Sequence, residues 1–433
     1  MKNFLIGLLS TVVLLYTSYV YSEGSGGLNN PVYGARDLGQ ANAVVARPQG
    51  PSTIQFNPAG LTELDGTQAS LGLTLHFPST EYHGPLGYKE HLEEGILYTP
   101  NFFLSSDLGK DKFAVGLGIT APYGLRTEWS KTGFARYVAT ASEMSLVNIN
   151  PTVAFKINDH LSVGLGLDYY TSCSTLERQN NWGLTNFILT ADPTYLVTTP
   201  DGSSKIKVHG DGWGFNLGLL AKLNEKHSVG LSFRSKAHLN LKGHIDLKNI
   251  TGPVAAIFGG STFHSHLSSN LTLPEMVVLG YAYKVNDRLS LEADIQWTNW
   301  SRFEKMAVKF ARSNAILEAD NPVLRRWRDV LSLAVGMEYQ LNDQTQLRAG
   351  YFYYESPVPE NTFDPSIPGA DRHGVTLGVG YEMDSTTIDF AYAAIFVGDR
   401  HITNTVGSTS GASVSGKYES FIHLVALTFT YRF

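Results

Sequence analysis

The chain has 433 residues, a formal net charge of −6 and a mean hydropathy of −0.09. Past the N-terminus no uninterrupted apolar run reaches the roughly 20 residues of a membrane-spanning helix, which excludes a helical membrane bundle. The acidic balance, without a long basic run, gives no reason to expect a nucleic-acid partner. One cysteine, Cys173, excludes an intrachain disulfide and reads as a small packed residue.

Residues 1–22 read as a secretory signal peptide. Lys2 opens a short positive region, Phe4 to Leu15 is mostly apolar, and Val20-Tyr21-Ser22 offers modest side chains for cleavage after Ser22. The rival, an uncleaved anchor helix, is disfavoured because the apolar core is short and Tyr16, Tyr19 and Tyr21 interrupt its end. The mature chain is therefore expected to leave the cytoplasm. Residues 23–66 follow, rich in Gly, Asn and Pro and without sustained alternation.

From about residue 67 the pattern has the period of two that places side chains on opposite faces of a strand. Phe113, Val115, Leu117 and Ile119 alternate with Ala114, Gly116, Gly118 and Thr120. Leu161, Val163, Leu165, Leu167 and Tyr169 alternate with Ser162, Gly164, Gly166, Asp168 and Tyr170. Leu289, Leu291, Ala293, Ile295 and Trp297 alternate with Ser290, Glu292, Asp294, Gln296 and Thr298. Periodicity alone allows a soluble sandwich with a closed apolar centre, or a barrel with its apolar face toward lipid and a polar lumen.

The connections separate these readings. Short turns containing Asn or Asp recur at 109–111, 158–159, 224–226, 286–287, 342–344 and 384–385. They alternate strictly with long connections near 78–96, 122–140, 177–207, 246–265, 306–325, 356–371 and 398–418. Outer-membrane barrels place periplasmic turns and outer loops in this way. The sequence thus predicts a fourteen-stranded antiparallel transmembrane β-barrel over residues 67–433. Its last strand puts Val425, Leu427, Phe429, Tyr431 and the terminal Phe433 on one face, like the signal read by the outer-membrane assembly machinery. A barrel this wide is not filled by its own side chains, so residues 23–66 are expected to fold inside as a hatch. The bland alternative is a disordered periplasmic tail.

Blocks along the chain carry a resemblance: Gly34-Ala35-Arg36, Leu38-Gly39, Phe56-Asn57-Pro58-Ala59-Gly60-Leu61, Leu273-Pro274-Glu275-Met276, Trp297-Thr298-Asn299-Trp300-Ser301-Arg302-Phe303 and Glu355-Ser356-Pro357-Val358-Pro359. In this order they resemble the long-chain fatty acid transporter (FadL/TodX) family of outer-membrane proteins. The resemblance implies a fourteen-stranded barrel closed by an N-terminal hatch. It also implies binding of a hydrophobic ligand in an outer groove, transfer to a pocket above the hatch, and sideways release where the third strand kinks inward. A fatty acid gains about 0.8 kcal/mol for each CH₂ removed from water, so an apolar pocket with a lateral exit suits it better than an aqueous channel.

On that resemblance Asn57, Pro58 and Ala59 match a hatch element docked at the wall opening, against the plainer reading of an ordinary Asn-Pro turn. Gly116 and Gly118 are expected to permit the third-strand kink, or simply to pack against the hatch. Arg178 and Arg328 fall where the family carries basic residues that meet the ligand carboxylate, a role suited to forked guanidinium donors; the alternative is lumen ion pairs with Glu177, Asp329 or another acid. Trp182, Phe187 and Ile188 in one long loop, with Ile257 and Phe258 in another, mark a binding groove, or else two loops packed into a lid. His264 and His266 share a strand face, but a metal site would need a third ligand. No cofactor is expected, and no nucleophile-elbow or phosphate-loop motif supports an enzyme. The predicted start, Glu23-Gly24-Ser25-Gly26-Gly27, departs from the family by offering no apolar residue before Leu28. Rival functions are uptake of aromatic hydrocarbons by the same fold, a general porin for hydrophilic solutes, or a non-transporting barrel.

Overall fold

The computed structural model describes residues 28–93, 95–319 and 321–433, so the expected signal peptide and the start of the mature chain lie outside the described residues. Alternation of large and small residues makes strands here, and the strands make a wall. The first six are β1 (Thr67–His83), β2 (Leu97–Ser106), β3 (Phe113–Glu128), β4 (Ala141–Asn158), β5 (Leu161–Asn180) and β6 (Gly202–Lys222). Two interrupted strands follow: β7 comprises His227–Arg234 and Ala237–Lys248, and β8 comprises Phe263–Leu273 and Met276–Lys284. The remainder are β9 (Leu289–Thr298), β10 (Val330–Gln340), β11 (Thr345–Tyr354), β12 (Arg372–Met383), β13 (Thr386–Ile402) and β14 (Gly416–Arg432).

Neighbours in sequence pair antiparallel, and β1 pairs with β14 from Gln68 opposite Arg432 to His83 opposite Lys417. The fourteen strands therefore form a closed barrel with no free edge around its base. Its apolar face points outward. Leu165, Leu167, Trp213, Phe215 and Leu217 are 41–58% exposed, while Asp168 and Asn216, facing the other way, are buried. A closed apolar centre is thereby excluded.

Several strands run further than the sequence pattern suggests. β5 and β6 have 20 and 21 residues, about twice the 9–11 that cross a bilayer. The connections expected at 177–207 and 246–265 accordingly contract to 181–201 and 249–262. β8 breaks at Pro274-Glu275, where proline lacks the N–H that the ladder requires.

Residues 28–66 run across the inside of this wall. Val44 and Val45 donate backbone N–H to Asp294 on β9 at 3.1 and 3.3 Å, and Ala46 donates to Glu292 at 2.5 Å. Ala35 donates to Thr428 on β14 at 2.8 Å, and Thr376 on β12 donates to the Gly39 carbonyl at 3.2 Å. Asn216 on β6 and Arg234 on β7 donate to the carbonyls of Ile54 and Gln55 at 3.0 and 3.1 Å. Irregular backbone inside a barrel must find such partners, because few waters reach it.

Candidate functional site

The outer ends of β4–β7 and the loops above them enclose a cavity of about 500 Å³, within the range of small-molecule sites. Leu176, Ile206, Ile245, Met306, Phe310 and Leu317 give it apolar walls. Three arginines border it: Arg178, Arg325 and Arg326. Arg178 lies on β5 at a position that faces inward, because β5 alternates from Gly164 inward to Leu165 outward and onward to Arg178. Arg325 is buried and bound to Asp364, and Arg326 is exposed, with no ion pair among the described residues. The arrangement offers an oily volume with cationic donors at its border, which is what an amphiphile with one anionic end requires.

Arg328 stands elsewhere. Its side chain is 59% exposed and pairs with Glu355 at 3.1 Å, not with Asp329, and it does not line the cavity. The expected pair of carboxylate ligands is therefore not brought together. Buried and exposed residues alternate here, with Arg325 and Trp327 buried and Arg326 and Arg328 exposed, and the arginines that border the cavity together with Arg178 are Arg325 and Arg326.

The two oily loops meet. Trp182 opens α1 (Trp182–Thr190) and Phe258 closes α2 (Val254–Phe258); both are buried, with ring centroids 5.8 Å apart. Asn186 fastens the contact, donating to the Thr251 carbonyl and accepting from Val254 N–H, each at 2.8 Å. Trp182 and Phe258 thus act as packing, and Phe187 is half-buried. Ile188 and Ile257 remain 69% and 46% exposed. None of these five lines the 500 Å³ cavity.

Below the cavity the interior is occupied. Trp300 stacks edge-on to Tyr123 and Trp327 at 6.3 and 4.9 Å, Phe303 meets Trp327 at 4.7 Å, and Leu28 belongs to the same cluster. Cavities of only about 70 and 20 Å³ border residues 29–31. Both are far smaller than the roomy pocket above residues 28–66 that the resemblance implies.

The wall itself is interrupted at β3. β2 pairs with β3 only from Phe102 opposite Ile119 to Ser106 opposite Val115. Beyond Thr120 the β3–β4 register shifts, and Tyr123 resumes pairing at Leu146. Ala121 and Pro122 together stand opposite Val147, one residue more than the ladder needs, a bulge that includes a residue without a ladder donor. The edge of β3 that β2 leaves open is taken by the N-terminal segment. Asn30 N–H donates to the Pro122 carbonyl at 2.8 Å, and Gly124 N–H donates to the Leu28 carbonyl at 3.1 Å. Thr120, Ala121, Tyr123 and Leu125 are all buried, so neither face of this stretch lies on the outer surface.

The kink thus sits at Ala121 and Pro122 and not at Gly116 and Gly118, whose missing side chains make room for Ile54. Nor does the Asn-Pro-Ala segment lie beside it. Asn57 donates to the Val45 and Leu219 carbonyls at 2.8 and 3.0 Å and caps Ala59 N–H at 3.2 Å. A Cβ at Gly164 would run into the Pro58 and Ala59 backbone, and one at Gly218 into Asn57, so the segment is docked on β5 and β6. Pro122 was the overlooked signal, since a proline inside an alternating run marks a bulge or an edge.

His264 and His266 lie on the outward face of β8, and Asp246 on β7 accepts from His264 at 2.8 Å and lies 3.4 Å from His244. Among the described residues the metal-compatible group is instead Glu81, His83 and Glu419, where Lys89 and Lys417 already neutralise the carboxylates.

The family described as outer membrane protein transport protein (OMPP1/FadL/TodX) matches residues 18–433. The chain belongs to this family. It is accordingly an outer-membrane protein of the FadL/TodX type. A long-chain fatty acid transport protein of Escherichia coli O6:H1 is 26% identical over 449 residues, covering 98% of each chain. An outer membrane protein of Neisseria meningitidis serogroup B is 27% identical over 462 residues, covering 98% of this chain and 99% of the other. Among solved structures, a Pseudomonas aeruginosa FadL homologue superposes with a TM-score of 0.82 at 24% identity, covering 94% of this chain and 100% of that one. The Ralstonia pickettii toluene transporter TbuX gives 0.70 at 20% identity, with 95% and 99% covered. These structures share the FadL/TodX barrel.

Proposed function

We propose that the protein carries long-chain fatty acids, or similar hydrophobic molecules with an anionic end, across the outer membrane without chemical change. The observation that carries this reading is the 500 Å³ apolar cavity with Arg178 at its border. An acyl chain gains by leaving water there, and the guanidinium takes the carboxylate. Residues 28–66 act as a hatch held by Asn57, Pro58 and Ala59 on β5 and β6, with Ile54 seated against Gly116 and Gly118. Release follows the gap between β2 and β3 into lipid, once the aromatic cluster and Leu28 shift. Ile188 and Ile257 form the outer apolar rim on which a ligand first lands. The row ending in Phe433 serves the assembly machinery that inserts the barrel.

Relatives named as long-chain fatty acid transport proteins and as toluene transporters support both ligand classes. Arginine at the cavity favours the acid. Equilibrium binding of oleate and methyl oleate to purified protein tests the choice. Arg178→Ala is expected to weaken oleate about tenfold or more while leaving the ester within twofold; equal losses remove the carboxylate role. Tighter binding of toluene than of oleate would transfer the assignment to aromatic hydrocarbons.

A further inference from the structure

The outward faces of β5–β8 change character above the lipid-facing band. That band ends in aromatic residues: Tyr169 lies 4.6 Å from Trp213, and Phe215 lies 5.9 Å from Phe233. Beyond them the register aligns charged and imidazole side chains in rows. Lys205 lies opposite Asp246, which lies opposite His264; Lys207 opposite His244, which lies opposite His266; and His209 opposite Lys242, which lies opposite Ser268. Residues directly opposed on an antiparallel pair share a face, so these rows form one surface turned away from the lumen. Lys236, His238 and Lys248 extend it.

Lysines outnumber carboxylates on this surface, five to three, with Glu177, Asp211 and Asp246 as the acids. Glu177 is taken by Lys205 at 2.5 Å, and Asp246 sits between two imidazoles. Lys207, Lys236, Lys242 and Lys248 have no ion pair with a described residue. On β1 and β14 the corresponding charges are matched: Lys417 pairs with Asp399 and Glu419, and Lys89 with Glu81. The cationic excess on β5–β8 is therefore not shared by β1 and β14.

Its height is informative. Lys205 to His209 lie four to eight residues beyond Trp213, roughly 13–26 Å along a strand, or about 9–19 Å higher at a tilt near 45°. A phospholipid headgroup adds only about 5–8 Å on each side of the hydrocarbon core. The surface stands level with a taller headgroup, and it is continuous with the acyl-facing rows below it. We propose that this face of β5–β8 binds the phosphorylated sugar headgroup of an outer-leaflet glycolipid, with the phosphates on Lys207, Lys242 and the histidine rows and the acyl chains on Leu165, Trp213 and Leu217. Lysine serves phosphate as a point charge, and basic clusters beside a membrane draw anionic lipid.

The test is native mass spectrometry of the full chain, delipidated in detergent and titrated with an acylated diglucosamine bisphosphate. The unmodified protein is expected to hold the lipid at least tenfold tighter than the variant carrying Lys207→Gln, His209→Gln, Lys242→Gln and His244→Gln. A control with Lys110→Gln, Lys226→Gln and Lys284→Gln in the short turns is expected to stay within twofold. The same acylated disaccharide without phosphates is expected to bind the unmodified protein as weakly as the quadruple variant binds the bisphosphate. Equal affinity of the unmodified protein for both lipids overturns the proposal without recourse to any variant. So does equal affinity of the two proteins for the bisphosphate, or deacylated bisphosphate binding as tightly as the lipid.

Discussion

Asn57 shows how much can rest on one side chain. Its amide serves two carbonyls, of Val45 and Leu219, and its oxygen caps Ala59. Losing it leaves buried polar atoms unpaired, at about 1–3 kcal/mol. Asn57→Ala is predicted to speed amide exchange across residues 53–63 by roughly tenfold to a hundredfold, with β5 and β6 unchanged; equal acceleration in those strands would mean that the wall, not the segment, depends on it. Asp37 carries a different signal. Burial pushes its carboxyl up to about 6, so the folded chain holds that proton more tightly than the unfolded one. Stability from this group is full below the ordinary carboxylate range and falls as pH rises through about 6. Asp37→Asn should abolish that part of the decline between pH 4 and 7, measured as the midpoint of urea unfolding, and a variant that declines as steeply as the parent refutes it. Single side chains were also where the sequence misled. Arg328 matched a family position, yet in an irregular loop nothing in the spacing says which way a side chain points, and the structure turns it to Glu355.

At the scale of strands, the alternating rows were legible because each side chain has only two choices, lipid or lumen. Leu161 to Tyr169 and the run ending at Phe433 read correctly for that reason. Strand length was less legible. Outward residues above the membrane need not be apolar, so β5, β6 and β7 continue through Lys205, Lys207, His244 and similar residues that look like loop. The break in β3 is legible as Pro122, a residue without a ladder donor, and not as the two glycines. Its consequence can be tested. Deleting Pro122 removes the one extra residue and restores continuous register, so β3 would extend its pairing along β2 beyond Ile119 and displace Leu28–Asn30. The deletion is predicted to lower oleate uptake at least tenfold in cells lacking another importer, while oleate binding to the purified protein stays within threefold. Undiminished uptake through a repaired wall would exclude the β2–β3 gap as the exit.

Across the whole molecule, charged groups bear much of the connection between residues 28–66 and the barrel wall. Glu338 on β10 accepts from Arg47 at 3.0 Å and from Arg348 at 2.7 Å, and Arg348 also reaches Asp389 on β13 at 2.7 Å. On the opposite side Arg234 meets Asp168 at 2.5 Å while holding the Gln55 carbonyl. Removing one partner of such a pair strands a buried charge, which costs more than the pair itself contributes. A hydrophilic porin would have no use for such anchors, which on the proposed reading hold the segment across the lumen. Planar-bilayer recordings should therefore show almost no steady conductance for the native chain. Arg47→Ala with Asn57→Ala loosens the segment at two distant anchors, on β10 and on β6, without touching a membrane-facing residue. That variant is predicted to insert normally, judged by its heat-modifiable migration on gels, and to show brief channel openings absent from the parent. Large, steady conductance in the native chain would mean that water already crosses the lumen, and the case for a sealed interior with a lateral exit would fall with it.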